Sequence, residues 1–359
     1  MKRQSYSFLF LGLLLPFFAL GQIPPQEKGI LWEISGNGLD KKSYLFGSVH
    51  LYDARLFEFG DSLLACLDAC EAFASEVHID SIVRRLGEQE AYTKTEPPTK
   101  KDSLSSKIEE IPPPPQGFKK RSWGFSRLPY KAGDNPAFLD AYLFGLARRY
   151  GKQLFGLEQS KRHLSYLEAP QFKKELDLDV LDPNFDFRQS AIEKLLALYL
   201  KTDFESLEDF FHKSEDSLME FRNRDMLSSL QKIMPDYALF SVVGVAHLFG
   251  ETGLLSLLRK QGYKVRNVSY GFDNSGETYA FKSKKVKPDW PVFSRKNQGY
   301  EISFPGQPFK TGKTFAQKLM RESYFYPDLT TGAHYFVNLS EPFGENENFA
   351  KMADSVNKR

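Results

Sequence analysis

Short apolar runs alternate with longer stretches of helical periodicity from about residue 30 to residue 267. Residues 31–35 (LWEIS) and 44–47 (YLFG) predict two strands, joined by the turn-prone Gly36-Asn37-Gly38. A helix follows over 57–70, since Phe59, Leu63, Cys66, Leu67 and Cys70 recur on one face. Residues 72–77 (AFASEV) read as the next strand. Order resumes at Asn135-Pro136, an N-cap and first-turn pair, and that helix runs to Tyr150 before Gly151 stops it. Then come a strand at 153–157 (QLFGL), helices at 189–200, 203–212 and 215–232, and a strongly apolar strand at 237–243 (YALFSVV). A helix over 251–261 and a short strand at 263–265 complete the series. Apolar strands alternating with helices predict an α/β fold, with a mixed, mostly parallel sheet covered by helices.

Two segments break this rhythm. Residues 84–130 carry Glu-Pro-Pro at 96–98, four prolines at 112–115 and many Lys, Ser and Glu residues. They predict a proline-rich insert or loop, read as loose chain in preference to a lid. Beyond 270, a basic linker at 282–287 (KSKKVK) precedes aromatic and turn-rich sequence, including the strand-like 300–306 (YEISFPG). The expected organisation is a main domain over 28–270, then a linker and small C-terminal α/β module over 271–359. A module of fewer than about 80 residues makes a marginal core by itself, so packing on the main domain is expected.

A composition of 41% hydrophobic and 26% charged residues is that of an ordinary globular protein. The net charge is +2, and Lys2 and Arg3 account for it. With no long basic run elsewhere, no nucleic-acid partner is expected. Those two charges, the apolar residues 8–20 and the sequence Ala19-Leu20-Gly21 predict a signal peptide over 1–21, hence export to the periplasm or medium. The apolar stretch is short of the roughly 20 residues of a spanning helix, so membrane contact is expected only through an uncleaved signal. The only cysteines, Cys66 and Cys70, read as small core residues.

The candidate chemistry lies at strand ends. His50 closes Gly47-Ser48-Val49-His50 after the strand YLF, and His247 closes Gly244-Val245-Ala246-His247 after FSVV. The carboxyl edge of an open α/β sheet is where ligands bind, and Gly47 and Gly244 let backbone approach a ligand or cofactor closely. Glu76 and Glu158 end their strands in the same way, so His50, Glu76, Glu158 and His247 are expected to converge on one site. A buried acid needs a partner or a cation. His78 reads as an exposed strand-end residue, and His163, His212 and His334 as surface or loop residues. On the predicted helix 215–232, Asn223 lies mid-way across the apolar face, flanked by Arg222 and Arg224. Arg222 reads either as an ion-pair partner of the two acids or as an oxyanion contact.

These residues belong to a longer set of blocks: 31–36 (LWEISG), 44–50 (YLFGSVH), Glu76, 151–158 (GKQLFGLE), 195–203 (LALYLKTD), 222–226 (RNRDM), 243–253 (VGVAHLFGETG) and 259–265 (RKQGYKV). In that order they resemble the TraB/GumN family, which includes the TIKI proteins. The resemblance implies a fold similar to erythromycin esterase and the haem-binding ChaN-like proteins. Its TIKI members are metal-dependent proteases, and most bacterial members carry no assigned reaction. Carried over, the family's histidines fall on His50 and His247, its acid on Glu76, and its Arg-Asn pair on Arg222 and Asn223. The expectation is an exported metal-dependent hydrolase of peptide or small-molecule substrates. His50, Glu76 and His247 would hold zinc, manganese or cobalt. Glu158 or Glu76 would act as general base, and Arg222 or Asn223 would steady the oxyanion. The alternatives are a metal-free hydrolase using a histidine base, and a non-catalytic peptide- or haem-binding protein.

Overall fold

The computed structural model describes residues 29–85, 133–160, 162–163, 185–211, 217–296, 299–310 and 320–340. The signal peptide expected at 1–21, the insert beyond Arg85 and His212 lie outside the described residues.

Six strands form the central sheet: β1 (Leu31–Ser35), β2 (Ser43–Ser48), β3 (Ala72–Val77), β4 (Gln153–Glu158), β5 (Leu239–Gly244) and β6 (Lys264–Asn267). Their spatial order is β4-β3-β5-β2-β1-β6. β2, β5, β3 and β4 run parallel, while β1 is antiparallel to both β2 and β6. The fold is therefore α/β with a mixed, mostly parallel sheet. All six residues of β3 are buried, which is why this strand reads as a nearly continuous apolar run with one acid in it.

The helices are α1 (Asp61–Ala69), α2 (Leu139–Arg149), α3 (Phe185–Leu200), α4 (Phe204–Phe211), α5 (Ser217–Ile233) and α6 (Leu254–Lys260). One apolar core joins them to the sheet through residues such as Phe46, Phe73, Phe144, Tyr199, Leu230 and Phe240. Cys66 and Cys70 are both free thiols buried in that core. α2 begins at Leu139 with Phe138 as its N-cap, three residues later than its capping pair suggests. Asn135 Oδ1 instead accepts from the Ala137 N–H at 3.0 Å, which makes a turn ahead of the helix. Gly151, at φ +68°, takes the left-handed conformation that ends α2.

The remaining strands are β7 (Val292–Arg295), β8 (Tyr300–Ser303), β9 (Phe309–Lys310), β10 (Met320–Asp328) and β11 (Ala333–Ser340). β7 pairs with β8, and β10 lies between β9 and β11. Among the described residues this module contributes strands but no α-helix, where the sequence suggested both. Its small core sets Phe304 and Tyr326 against Val83 of the main domain. The linker is pinned as well: Asp68 accepts from the backbone N–H groups of Lys282 and Ser283 at 2.6 and 3.1 Å.

Candidate functional site

Because β2, β5, β3 and β4 are parallel neighbours, their carboxyl ends share one edge of the sheet. His50 stands two residues beyond β2, and His247 lies in the 3-10 turn Val245–Leu248 directly after β5. Glu76 is the penultimate residue of β3 and Glu158 the last of β4. The structure brings all four to one cluster.

Each imidazole is held from behind. His50 Nδ1 lies 3.0 Å from Asp140 Oδ2, and the other Asp140 oxygen accepts from Ser48 Oγ at 2.6 Å. His247 Nδ1 lies 2.6 Å from Asn223 Oδ1, while Asn223 Nδ2 donates to the Thr252 carbonyl at 2.9 Å. An amide oxygen only accepts, so His247 carries its proton on Nδ1 and presents a bare Nε2. The Asp140 carboxylate imposes the same orientation on His50.

Both Nε2 atoms then face the same oxygen. Glu76 Oε1 lies 3.7 Å from His50 Nε2 and 3.5 Å from His247 Nε2. It also accepts the Gly244 N–H at 2.6 Å. Gly244 borders the space between them: a Cβ built there would lie 3.0 Å from Glu76 Oε1 and 3.3 Å from His50 Nε2. Its φ of −56° is ordinary, so what requires glycine here is room, not conformation. Donors about 2.1 Å from a tetrahedral ion sit about 3.4 Å from one another, close to the two separations measured here.

A second layer holds Glu76. Arg222 Nη2 donates to Glu76 Oε2 at 2.8 Å and to Glu158 Oε2 at 2.9 Å, and Arg222 Nε donates to Glu158 Oε1 at 3.0 Å. His163 Nδ1 lies 2.9 Å from the same Glu158 Oε2. Glu76, Glu158 and His163 offer atoms all within 4.8 Å of one another, a spacing that in principle suits a metal. The Arg222 guanidinium already bridges the two carboxylates, so the cation this group holds is the arginine.

The electrostatics follow from these contacts. Burial raises the Glu76 pKa, but His247, His50 and Arg222 outweigh it and keep the carboxyl well below its ordinary value. Burial dominates at His247 and lowers its pKa to about 4, leaving a neutral ring near neutral pH. At His50 burial also acts downward, yet Asp140 and Glu76 win and hold the pKa well above its usual value. Solvent reaches 54% of the His50 side chain, which weakens the desolvation effect.

Several expected roles change. Gly47 does not line the site; a Cβ there would meet Leu248 Cδ1 at 2.5 Å, so this glycine serves close packing of β2 on the turn after β5. Both ends of the Asn223 amide are engaged, which removes it as an oxyanion donor and makes it the support of His247. Arg222 is the ion-pair partner of Glu76 and Glu158, the simpler of its two readings, and Glu158 is thereby taken from the role of general base. His78 is half-buried against Phe144, with ring centroids 5.1 Å apart, and is not the exposed residue expected. His163 belongs to the cluster, not to the surface. Asp140 and Ser48 were not singled out by sequence reasoning. Asp140 left one signal, a carboxylate among Leu139, Ala141, Leu143 and Phe144, all buried.

No curated protein and no solved structure matches the chain. The TraB/PrgY/gumN family profile matches residues 30–267, from β1 through β6, and that span contains every residue of the cluster. The chain belongs to the TraB/PrgY/gumN family.

Proposed function

We propose that this protein is an exported metal-dependent hydrolase acting on peptides. The carrying observation is that His50 and His247, each held through Nδ1, turn Nε2 toward the same oxygen of Glu76 beside the side-chain-free Gly244. His50, His247 and Glu76 are the residues that would hold a divalent ion there, and two imidazoles with one carboxylate suit zinc, manganese or cobalt. Such an ion, when bound, supplies Lewis acidity and lowers the pKa of a bound water toward about 7.

The protein's own groups prepare that site. Asn223 and Asp140 fix the ring orientations, and Arg222 keeps Glu76 ionised and aimed. Gly244 leaves the volume a ligand needs. The half-exposed His50 faces solvent, so a substrate approaches from that side. Export rests on the charged and apolar pattern of residues 1–21, and peptide substrates on the TIKI resemblance.

One observation favours a second reading without metal. The His50–Asp140 pair, backed by Ser48, is a histidine oriented by a carboxylate, the arrangement of a general base. The two are separated by metal analysis of the purified protein beside His50→Ala and His247→Ala, together with a peptide-library cleavage assay with added divalent metals. Metal bound by the natural chain and lost from both variants is expected, with cleavage abolished by chelation. Equal, negligible metal in all three proteins removes the metal reading. Cleavage that survives chelators but not His50→Ala establishes the second. A peptide bound and recovered intact after long incubation with metal identifies a binding protein.

A further inference from the structure

The sheets end in edges of different kinds. β6 closes one side of the central sheet with Lys264 and Arg266 exposed, and charge on an edge strand discourages pairing with another chain. On the opposite side α5 reaches β4, where the Ser229 hydroxyl donates to the Leu157 carbonyl at 2.7 Å. In the C-terminal module β9 is only two residues long, and β7 and β8 carry Arg295 and Glu301. β11 differs from all of these. It runs for eight residues at the end of its sheet and contains no Lys, Arg, Asp, Glu or Pro. An antiparallel strand turns the backbone groups of only alternate residues toward its neighbour. Among the described residues, the groups that β11 turns away from β10 have no backbone partner.

A row of aromatic rings leads to that edge. Phe309, Phe325 and Phe336 lie directly opposite one another across β9, β10 and β11. The Phe309 and Phe325 rings meet edge to face at 5.4 Å, and Phe325 and Phe336 stack at 4.6 Å. The row stops at Phe336, which is 61% exposed. His334 and Asn338 share its exposed face, while Tyr335 and Val337 alternate inward onto the core of the module.

The strand is also complementary to its own reverse. Two copies of β11 laid antiparallel about a two-fold axis at Phe336 set Phe336 against itself and His334 against Asn338 on the outer face. On the inner face Tyr335 meets Val337, and Ala333 meets Leu339. Apolar groups therefore face apolar ones, the imidazole faces the amide, and no Lys, Arg, Asp or Glu is brought against its like. Residues directly opposite on such strands stand about 5 Å apart, so the two Phe336 rings touch and the aromatic row continues through both copies.

We propose that the β11 edge is a homodimer interface, in which two copies of this chain join their three-stranded sheets into one continuous sheet centred on Phe336. The inference rests neither on a metal nor on hydrolysis.

The test is sedimentation velocity of the full mature chain across micromolar concentrations, with circular dichroism to confirm that each variant is folded. The natural chain is expected to sediment as a dimer. Phe336→Lys, at an exposed position, is expected to weaken the dimer about ten-fold or more. Two double variants read the register. His334→Glu with Asn338→Glu sets like charges opposite one another and is expected to give a monomer. His334→Lys with Asn338→Glu sets opposite charges together and is expected to keep the dimer. A natural chain that stays monomeric throughout would overturn the proposal, including one that takes up an extended peptide along β11 instead. So would a dimer that tolerates both Phe336→Lys and the like-charge pair, or an opposite-charge pair that dissociates as readily as the like-charge one.

Discussion

The Asn223 side-chain oxygen lies 2.6 Å from His247 Nδ1, and the other end of the same amide is tied to the Thr252 carbonyl. A residue on α5 thus dictates which nitrogen of a histidine in the turn after β5 carries the proton. Asn223→Ala leaves a buried N–H without its acceptor, at a cost of about 1–3 kcal/mol. We expect a lower Tm and, in metal titrations, affinity weakened about 10–100-fold. Unchanged affinity in a folded variant would show that ring orientation is set elsewhere.

Gly244→Ala separates site volume from stability. Its φ of −56° suits alanine, so the Tm is expected to shift by only a few degrees. The new methyl, however, would lie 3.0 Å from Glu76 Oε1 and 3.3 Å from His50 Nε2. Metal occupancy, measured by elemental analysis, is expected to fall sharply while circular dichroism is unchanged. Full occupancy in the variant would place the ion elsewhere.

Arg222 is the only described link between the ends of β3 and β4 that touches both acids. Arg222→Met removes it and leaves two buried carboxylates facing one another, which is expected to cost about 3–5 kcal/mol. Urea unfolding at neutral pH measures this. The loss should shrink at acid pH, where the two carboxylates take up protons and their repulsion ends.

Asp68 ties the linker to the main domain and makes that tie sensitive to acid. Burial raises its pKa, but the Ser283 hydroxyl, the Lys282 and Ser283 amides and the Tyr279 hydroxyl together bring it below its ordinary value. A folded pKa below the unfolded value of about 3.9 means stabilisation that is fully present above that value. It is lost as pH falls through the lower, folded pKa. Asp68→Asn is therefore expected to depress the Tm at neutral pH and to narrow its gap from the natural chain below about pH 4. A gap that stays constant down to the acid limit would exclude Asp68 as its source.

Much of this architecture was written in local pattern. Apolar runs marked β1 to β5, and glycines marked the ends of α2 and α6. The two Gly-x-x-His segments named their histidines because each follows a strand that must be buried on both faces. The acids at the ends of β3 and β4 were legible for the same reason, as charges in runs otherwise apolar. Boundaries moved where side chains captured backbone groups, as Asn135 does ahead of α2.

Partnership was not written locally. Asp140 reaches His50 across 90 residues, and Arg222 reaches Glu76 across 146. Those pairings depend on β3 lying between β4 and β5 and on where α2 and α5 pack against that edge. Periodicity specifies which face of an element is buried, since each residue's preference for water acts alone. Which charge meets which is a property of the assembled sheet, because hydrogen bonds and ion pairs form only within a few ångströms, and tertiary packing alone sets those distances. The sequence by itself thus determined most strands and helices of the main domain and the candidate ligands; the tertiary structure decided that Arg222 and Asn223 support the site, that Asp140 and His163 belong to it, and that Gly47 does not.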